Sequence, residues 1–119
     1  MKPIILYYML DEVTLILLKQ LNVCLIEIKQ TDGLQTMGAL LRLPHFKRNN
    51  QTLLVSQSQP FLYFAFMDQK TTFAIIDLLK QNQIYIPYKA MMTPTNINYT
   101  FNELYQHVVS EHALMKGKK

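Results

Sequence analysis

The polar residues best suited to hold a ligand stand close together in residues 87–104. Lys89 lies in a predicted strand, and Thr93, Thr95 and Asn96 follow it in a proline-bent turn before a helix. Anions are often held where a strand ends beside a helix N-terminus, because free backbone N–H groups point there. Lys89, Thr93 and Asn96 are therefore candidate ligand-binding residues for a phosphoanion or a phosphate-bearing metabolite. The alternative is ordinary turn chemistry, and no glycine-rich phosphate loop accompanies the turn.

The last predicted helix carries three possible metal ligands on one face. Glu103, His107 and Glu111 follow one another at a spacing of four residues, which aligns their side chains. The same spacing is typical of a solvated helix face opposite an apolar stripe, and the H-E-x-x-H pattern is absent. We therefore predict no metal and no cofactor.

No group of residues indicates catalysis. Cys24 lies within an apolar predicted strand, where a thiol is usually inert. No nucleophile elbow accompanies a serine, and capping of two predicted helices explains Asp11 and Asp68. We predict that the protein is not an enzyme.

Aromatic residues in two predicted strands raise the question of RNA binding. Tyr7 and Tyr8 lie in the first strand, and Tyr63, Phe64 and Phe66 lie in the third. RRM domains stack bases on aromatic residues of such strands, but the K/R-G-F/Y-G/A-F pattern is missing here. Aromatic residues in strands usually belong to the core, so we do not expect nucleic acid as a partner.

Positive charge is concentrated at the C-terminus. The 119-residue chain has a net charge of +4, and without the three lysines of residues 116–119 this falls to +1. A nucleic-acid-binding protein carries its basic stripe on the folded body, so the charge distribution argues against that class. We predict one domain at 1–115, with halves at 1–44 and 60–115, and a flexible basic tail at 116–119.

Cysteine content and hydropathy bear on the compartment. A single cysteine excludes an intrachain disulfide and is typical of a reducing environment. No apolar run approaches the ~20 residues of a membrane span, and Asp11 and Glu12 interrupt the N-terminal apolar stretch before any cleavage site. We predict a cytoplasmic protein that does not enter a membrane.

Hydrophobic periodicity and helix caps predict alternating strands and helices. We expect strands at 3–9, 23–28, 61–67 and 84–93, and helices at 12–22, 34–42, 69–82 and 100–115. A polar surface loop occupies 45–59, and Thr100 with Glu103 forms a capping box at the start of the last helix.

An internal repeat organises these elements into two βαβ units. A strand, an aspartate, a helix and a second strand occur from Tyr8-Met9-Leu10-Asp11 and again from Phe66-Met67-Asp68. Two such units predict an α/β fold with a four-stranded sheet, and we favour the ferredoxin-like arrangement. The alternative is a small doubly wound sheet, in which the extra helices at 34–42 and 100–115 cover the second face.

The third strand predicts a sheet that is covered on both sides. Residues 61–67 are apolar at every position, whereas a strand with one solvated face alternates. The cover is either the extra helices or another protein. We therefore predict a homodimer or a protein partner, with Tyr63, Phe64 and Phe66 as interface residues.

Residues 60–113 contain a further pattern, P-x-K-A-x-x-T-x-x-N followed by an aromatic residue, then E-L and a late E-H in a helix; here these are Pro87, Lys89, Ala90, Thr93, Asn96, Tyr99, Glu103-Leu104 and Glu111-His112. Through this pattern the segment resembles a small bacterial family of unknown function. Tyr99 replaces the tryptophan that is more common in the family. The resemblance implies a small bacterial cytosolic protein and implies no activity.

Three functions follow from these observations. We favour a non-enzymatic binding or regulatory module that self-associates. The alternative is a small phosphoanion- or metabolite-binding protein that uses residues 87–100. RNA binding through the sheet aromatics is the third.

Overall fold

The computed structural model describes residues 2–117 and the side chains of residues 2–114. The elements in chain order are β1 (Ile4–Tyr8), α1 (Glu12–Lys19), β2 (Cys24–Glu27), α2 (Met37–Leu40), β3 (Phe61–Ala65), α3 (Gln69–Gln81), β4 (Tyr88–Met91), a 3₁₀ turn (Asn96–Asn98) and α4 (Phe101–Gly117). All the predicted strands and helices are present, although most are shorter than predicted. Of the predicted basic tail, residues 116 and 117 have helical backbone, and Lys118 and Lys119 lie outside the described residues.

The sheet has the strand order β2-β1-β3-β4. Strands β1 and β2 are parallel, β3 and β4 are parallel, and the central pair β1 and β3 is antiparallel. The α/β class is confirmed, but the strand order differs from the ferredoxin-like arrangement that we predicted, in which each βαβ unit is split by another strand. Each unit is unsplit here: the crossover through α1 or α3 leads to a second strand that lies directly beside the first.

The turns that lead into α1 and α3 have the same conformation. Met9 and Phe66 follow their strands with φ angles of 56° and 58°, in the left-handed region. Two residues later, Asp11 and Asp68 cap their helices by accepting hydrogen bonds from the backbone N–H three residues onward, at 2.8 and 2.7 Å. The predicted repeat is therefore present in the backbone conformation of the two turns, and the capping residues are 57 positions apart (68 − 11).

The pairing of β1 with β3 has the symmetry of the repeat. Ile4 pairs with Ala65, and Tyr8 pairs with Phe61. Adding 57 to one partner and subtracting 57 from the other converts the first pair into the second. The two βαβ units are thus related by an approximate two-fold axis normal to the sheet, which puts α1 and α3 on the same face.

Helices cover both faces of the sheet. One apolar cluster joins the sheet to α1 and α3 through Ile5, Leu18, Leu62, Phe64, Ile75 and Leu79. The other joins it to α2 and α4 through Leu6, Met37, Leu40, Tyr63, Phe101, Leu104 and Tyr105. The sequence of β3 predicted that either the extra helices or another protein covers the second face. In the structure the extra helices cover it.

This covering corrects the predicted interface. Tyr63 and Phe64 are 0% and 1% exposed beneath the helices of their own chain, and Phe66 is partly buried. A partner cannot reach the first two side chains unless a helix layer detaches. The apolar character of β3 is explained within one chain, so it no longer indicates self-association.

The predicted surface loop 45–59 is fastened to the body by polar side chains. The Asp32 carboxylate accepts a hydrogen bond from the Arg48 guanidinium at 2.9 Å. Gln35 bonds the backbone of Asn49 through both its amide oxygen and its amide nitrogen, each at 2.8 Å. Asn102 bonds the backbone of Ser56 at 3.0 Å. The bonds from Gln35 and Asn102 satisfy backbone groups of the loop, and the Asp32–Arg48 pair adds a contact between side chains.

Candidate functional site

The turn between β4 and α4 is built on a reciprocal pair of hydrogen bonds. The Thr93 hydroxyl accepts from the Asn96 N–H at 2.9 Å, and the Asn96 side-chain oxygen accepts from the Thr93 N–H at 2.9 Å. The arrangement is that of a capping box, here at the start of a 3₁₀ turn. The turn itself therefore requires the spacing of these two residues. This agrees with ordinary turn chemistry, the alternative to a ligand site.

Asn96 also fixes the turn to the sheet. Its side-chain oxygen accepts a second hydrogen bond from the Tyr63 hydroxyl at 2.6 Å, and its side-chain nitrogen donates to the Met91 carbonyl at 2.9 Å. Burial raises the pKa of the Tyr63 phenol well above its usual value, so the hydroxyl stays a donor. Asn96 joins β3, β4 and the turn, and both heteroatoms of its side chain are used.

The side chain of Lys89 points away from Thr93 and Asn96, although all three residues line one concavity. Its position in β4 places the side chain on the α3 side of the sheet, where the ammonium donates to the Ile86 carbonyl and lies 5.6 Å from the centre of the Tyr85 ring. Burial lowers the pKa of the Lys89 ammonium, and the nearby charge of Lys80 lowers it further. The Lys89 ammonium therefore lies outside the concavity that the three predicted ligand-binding residues line.

A cleft of about 400 Å³ opens between β4 and α4 on the other side of the sheet. The strand contributes residues 89–91, the turn contributes Thr93, Thr95, Asn96 and Tyr99, and the helix contributes Leu104, His107, Val108 and Glu111. The cleft is apolar near Leu104 and Val108 and polar at its rim. Concave sites with an apolar floor and a few polar groups are typical of binding sites.

His107 and Glu111 lie on the wall of this cleft. The His107 imidazole stacks on the Tyr99 ring, with centroids 5.1 Å apart and planes inclined by 7°. Glu103, the first residue of the predicted polar face, instead closes the capping box: its carboxylate accepts from the Thr100 N–H at 2.9 Å. Within residues 2–117, no group of three or more histidine, cysteine or acidic side chains is placed to hold a metal.

The remaining candidates fall outside the cleft. Tyr63 and Phe64 are buried and Tyr7 faces the α1–α3 cluster, so these rings do not form an open platform for bases. Cys24 is partly exposed on the edge strand β2. Among the described residues no helix is long and apolar enough to cross a membrane.

The strand and turn residues that line the cleft were candidates at the sequence level, but its α4 wall was missed. His107 and Glu111 were considered as a solvated face, and Tyr99 only as part of a motif. The signal that would have found the cleft is the position of β4 at the end of the sheet, since an edge strand leaves one side free for α4 and the turn to enclose. That position depends on strand order, which local patterns do not encode.

No curated protein and no solved structure matches the chain significantly. Residues 60–115, which include β3, α3, β4, the turn and most of α4, match the family model described as a domain of unknown function (DUF3783).

Proposed function

We propose that the protein is a non-enzymatic binding module and that the cleft between β4 and α4 is its binding site. The observation that carries this proposal is the coincidence of a 400 Å³ concavity with the free side of an edge strand. A ligand there meets backbone from β4 on one wall and the His107 and Glu111 side chains on the other.

The phosphoanion interpretation receives less support from the same geometry. Lys89, the only lysine among the predicted ligand-binding residues, directs its ammonium to the Ile86 carbonyl on the far side of the sheet. Thr93 and Asn96 bond each other, so their polar atoms are already committed. An anion in the cleft would also meet the Glu111 carboxylate, which repels it.

The test is selection of ligands followed by blocking of the cleft. We would pan a phage-displayed library of random dodecapeptides on the immobilised protein and measure the binding of selected synthetic peptides. Thr95→Trp places a large ring at the rim of the cleft, at an exposed residue whose side chain makes no capping hydrogen bond. Ala74→Trp is the matched control, because it adds the same ring at an exposed position of α3, on the other face of the sheet.

We expect Thr95→Trp to weaken binding at least about tenfold, which is about 1.4 kcal/mol, and Ala74→Trp to leave it unchanged. Failure of the panning to give any peptide that distinguishes the two variants would contradict the assignment of the cleft as a binding site.

A further inference from the structure

The outer side of β4 carries unpaired backbone groups. The Met92 N–H donates to the Phe64 carbonyl, so residues 88, 90 and 92 direct their backbone groups toward β3. Lys89 and Met91 then direct theirs outward. Among the described residues, no strand or isolated bridge pairs with this side of β4.

One of these outward groups already accepts a hydrogen bond, and within the part of the chain that the structure describes the others make none. Asn96 donates to the Met91 carbonyl. This leaves the Lys89 N–H, the Lys89 carbonyl and the Met91 N–H facing outward along one edge. A donor and an acceptor on the same residue, followed by a second donor, form the pattern that an added strand pairs with.

The charge of Lys89 indicates which type of residue an added strand would place opposite it. Cross-strand neighbours share a face of the sheet, so that residue would lie on the α3 side, beside the Lys89 ammonium and near Lys80. The pKa of Lys89 is lowered because burial disfavours its charge, and within the described residues no carboxylate forms an ion pair with it. A carboxylate at this position would supply that partner.

The residues on either side of it would lie over the opposite face. They fall beside Tyr88 and Ala90, which face α4. The small Ala90 side chain leaves the adjacent cleft open, and its apolar floor is formed by Leu104 and Val108. A large apolar or aromatic side chain is therefore the complement of this position.

From these placements we infer that the occupant of the site is an extended acidic peptide that adds to the sheet as a fifth strand on β4, with a carboxylate residue opposite Lys89 and an apolar residue next to it in the cleft. This inference rests on the proposed function and names its partner class. A second copy of the chain is a poorer occupant, because antiparallel pairing of two β4 strands through Lys89 would set two lysines opposite each other.

The test uses the dodecapeptides selected in the panning experiment. We expect acidic and apolar residues to alternate in them. Synthetic peptides with one N-methylated backbone amide at each position in turn should show weakened binding at every second residue, by about tenfold, since only alternate N–H groups face β4. Methylation alters the peptide alone, so folding of the protein does not enter the result.

Variants of the protein test the same contacts. Lys89→Gln should weaken binding of the acidic peptides about two- to fivefold through the lost cross-strand charge pair. Lys89→Pro should weaken it further by removing the outward N–H. Leu25→Pro is the matched control. The Cys24 and Ile28 N–H groups bond β1, so by the alternation of the strand the Leu25 N–H points outward, but from the opposite edge of the sheet.

Each outcome separates the two proposals. Peptides that lose binding to Thr95→Trp but show no alternation in the methylation scan would overturn strand addition and leave the cleft as a binding site. Absence of any cleft-dependent peptide would overturn both. A dimer detected by light scattering at micromolar concentration that becomes monomeric in Lys89→Pro would show that a second copy covers the edge, which contradicts the peptide assignment.

Discussion

The hydrogen bond between Tyr63 and Asn96 offers a quantitative test of how the turn is held. Tyr63 is 0% exposed, and its hydroxyl donates to the Asn96 side-chain oxygen at 2.6 Å. Tyr63→Phe removes the donor and keeps the ring. Asn96→Ala removes the acceptor, and with it the bonds to the Thr93 N–H and the Met91 carbonyl. The double variant completes a thermodynamic cycle.

The expected free energies differ because the two changes leave different groups unpaired. Tyr63→Phe should cost about 1 kcal/mol, since the Asn96 oxygen keeps its bond from Thr93. Asn96→Ala should cost about 3 kcal/mol, because it orphans a buried hydroxyl and removes the turn cap. In the double variant no hydroxyl is left unpaired. We therefore expect its free energy of unfolding to fall by about 3 kcal/mol, whereas additive costs would give about 4 kcal/mol.

Urea unfolding followed by far-UV circular dichroism provides the measurement, since the chain has no tryptophan to report by fluorescence. Tyr85→Phe is the control: Tyr85 is 68% exposed, so loss of its hydroxyl should change stability by less than about 0.5 kcal/mol. Additive costs in the cycle, within about 0.3 kcal/mol, would refute the direct bond between Tyr63 and Asn96.

Three further predictions concern other parts of the fold. Gly33→Ala should destabilise the protein by about 1–3 kcal/mol, because an added Cβ would lie 2.6 Å from the Leu53 carbonyl oxygen; urea unfolding within about 0.3 kcal/mol of wild type would contradict this close approach. Asp11→Ala should cost about 1 kcal/mol through loss of the α1 cap, and Asp11→Asn should recover most of it in the same assay. Burial raises the pKa of Tyr105 to about 12 from 10.0, so its contribution to stability is complete below pH 10 and is lost as the pH rises toward 12; urea titrations on both sides of this unfolded-state pKa should show falling stability, and a flat profile would argue against a buried neutral phenol.

Much of the fold is encoded locally, and that part could be predicted. Asp11 and Asp68 precede apolar runs of helical period, and both cap helices as expected. Thr100 and Glu103 form the predicted capping box. These bonds involve residues three positions apart, so the sequence pattern contains all the information that the geometry needs.

The candidate site could be predicted only in part, because the role of each of its residues depends on contacts with residues distant in sequence. Asn96 was recognised as unusual, but its partner Tyr63 lies 33 residues away on another strand. Lys89 was grouped with Thr93 by proximity along the chain, yet the two-residue period of a strand sends its side chain to the α3 side. The use of β4 as an edge strand follows from the pairing of β1 with β3, which neither helix caps nor periodicity specify.

The most direct test of the binding cleft is an NMR titration of the labelled protein with a selected dodecapeptide. The chemical-shift changes should concentrate in β4 and in α4 around His107 and Glu111, and the Lys89 and Met91 amides should gain protection from hydrogen exchange. Changes confined to α1, α3 or β2, with no added protection on β4, would contradict the assignment of the cleft between β4 and α4 as the binding site.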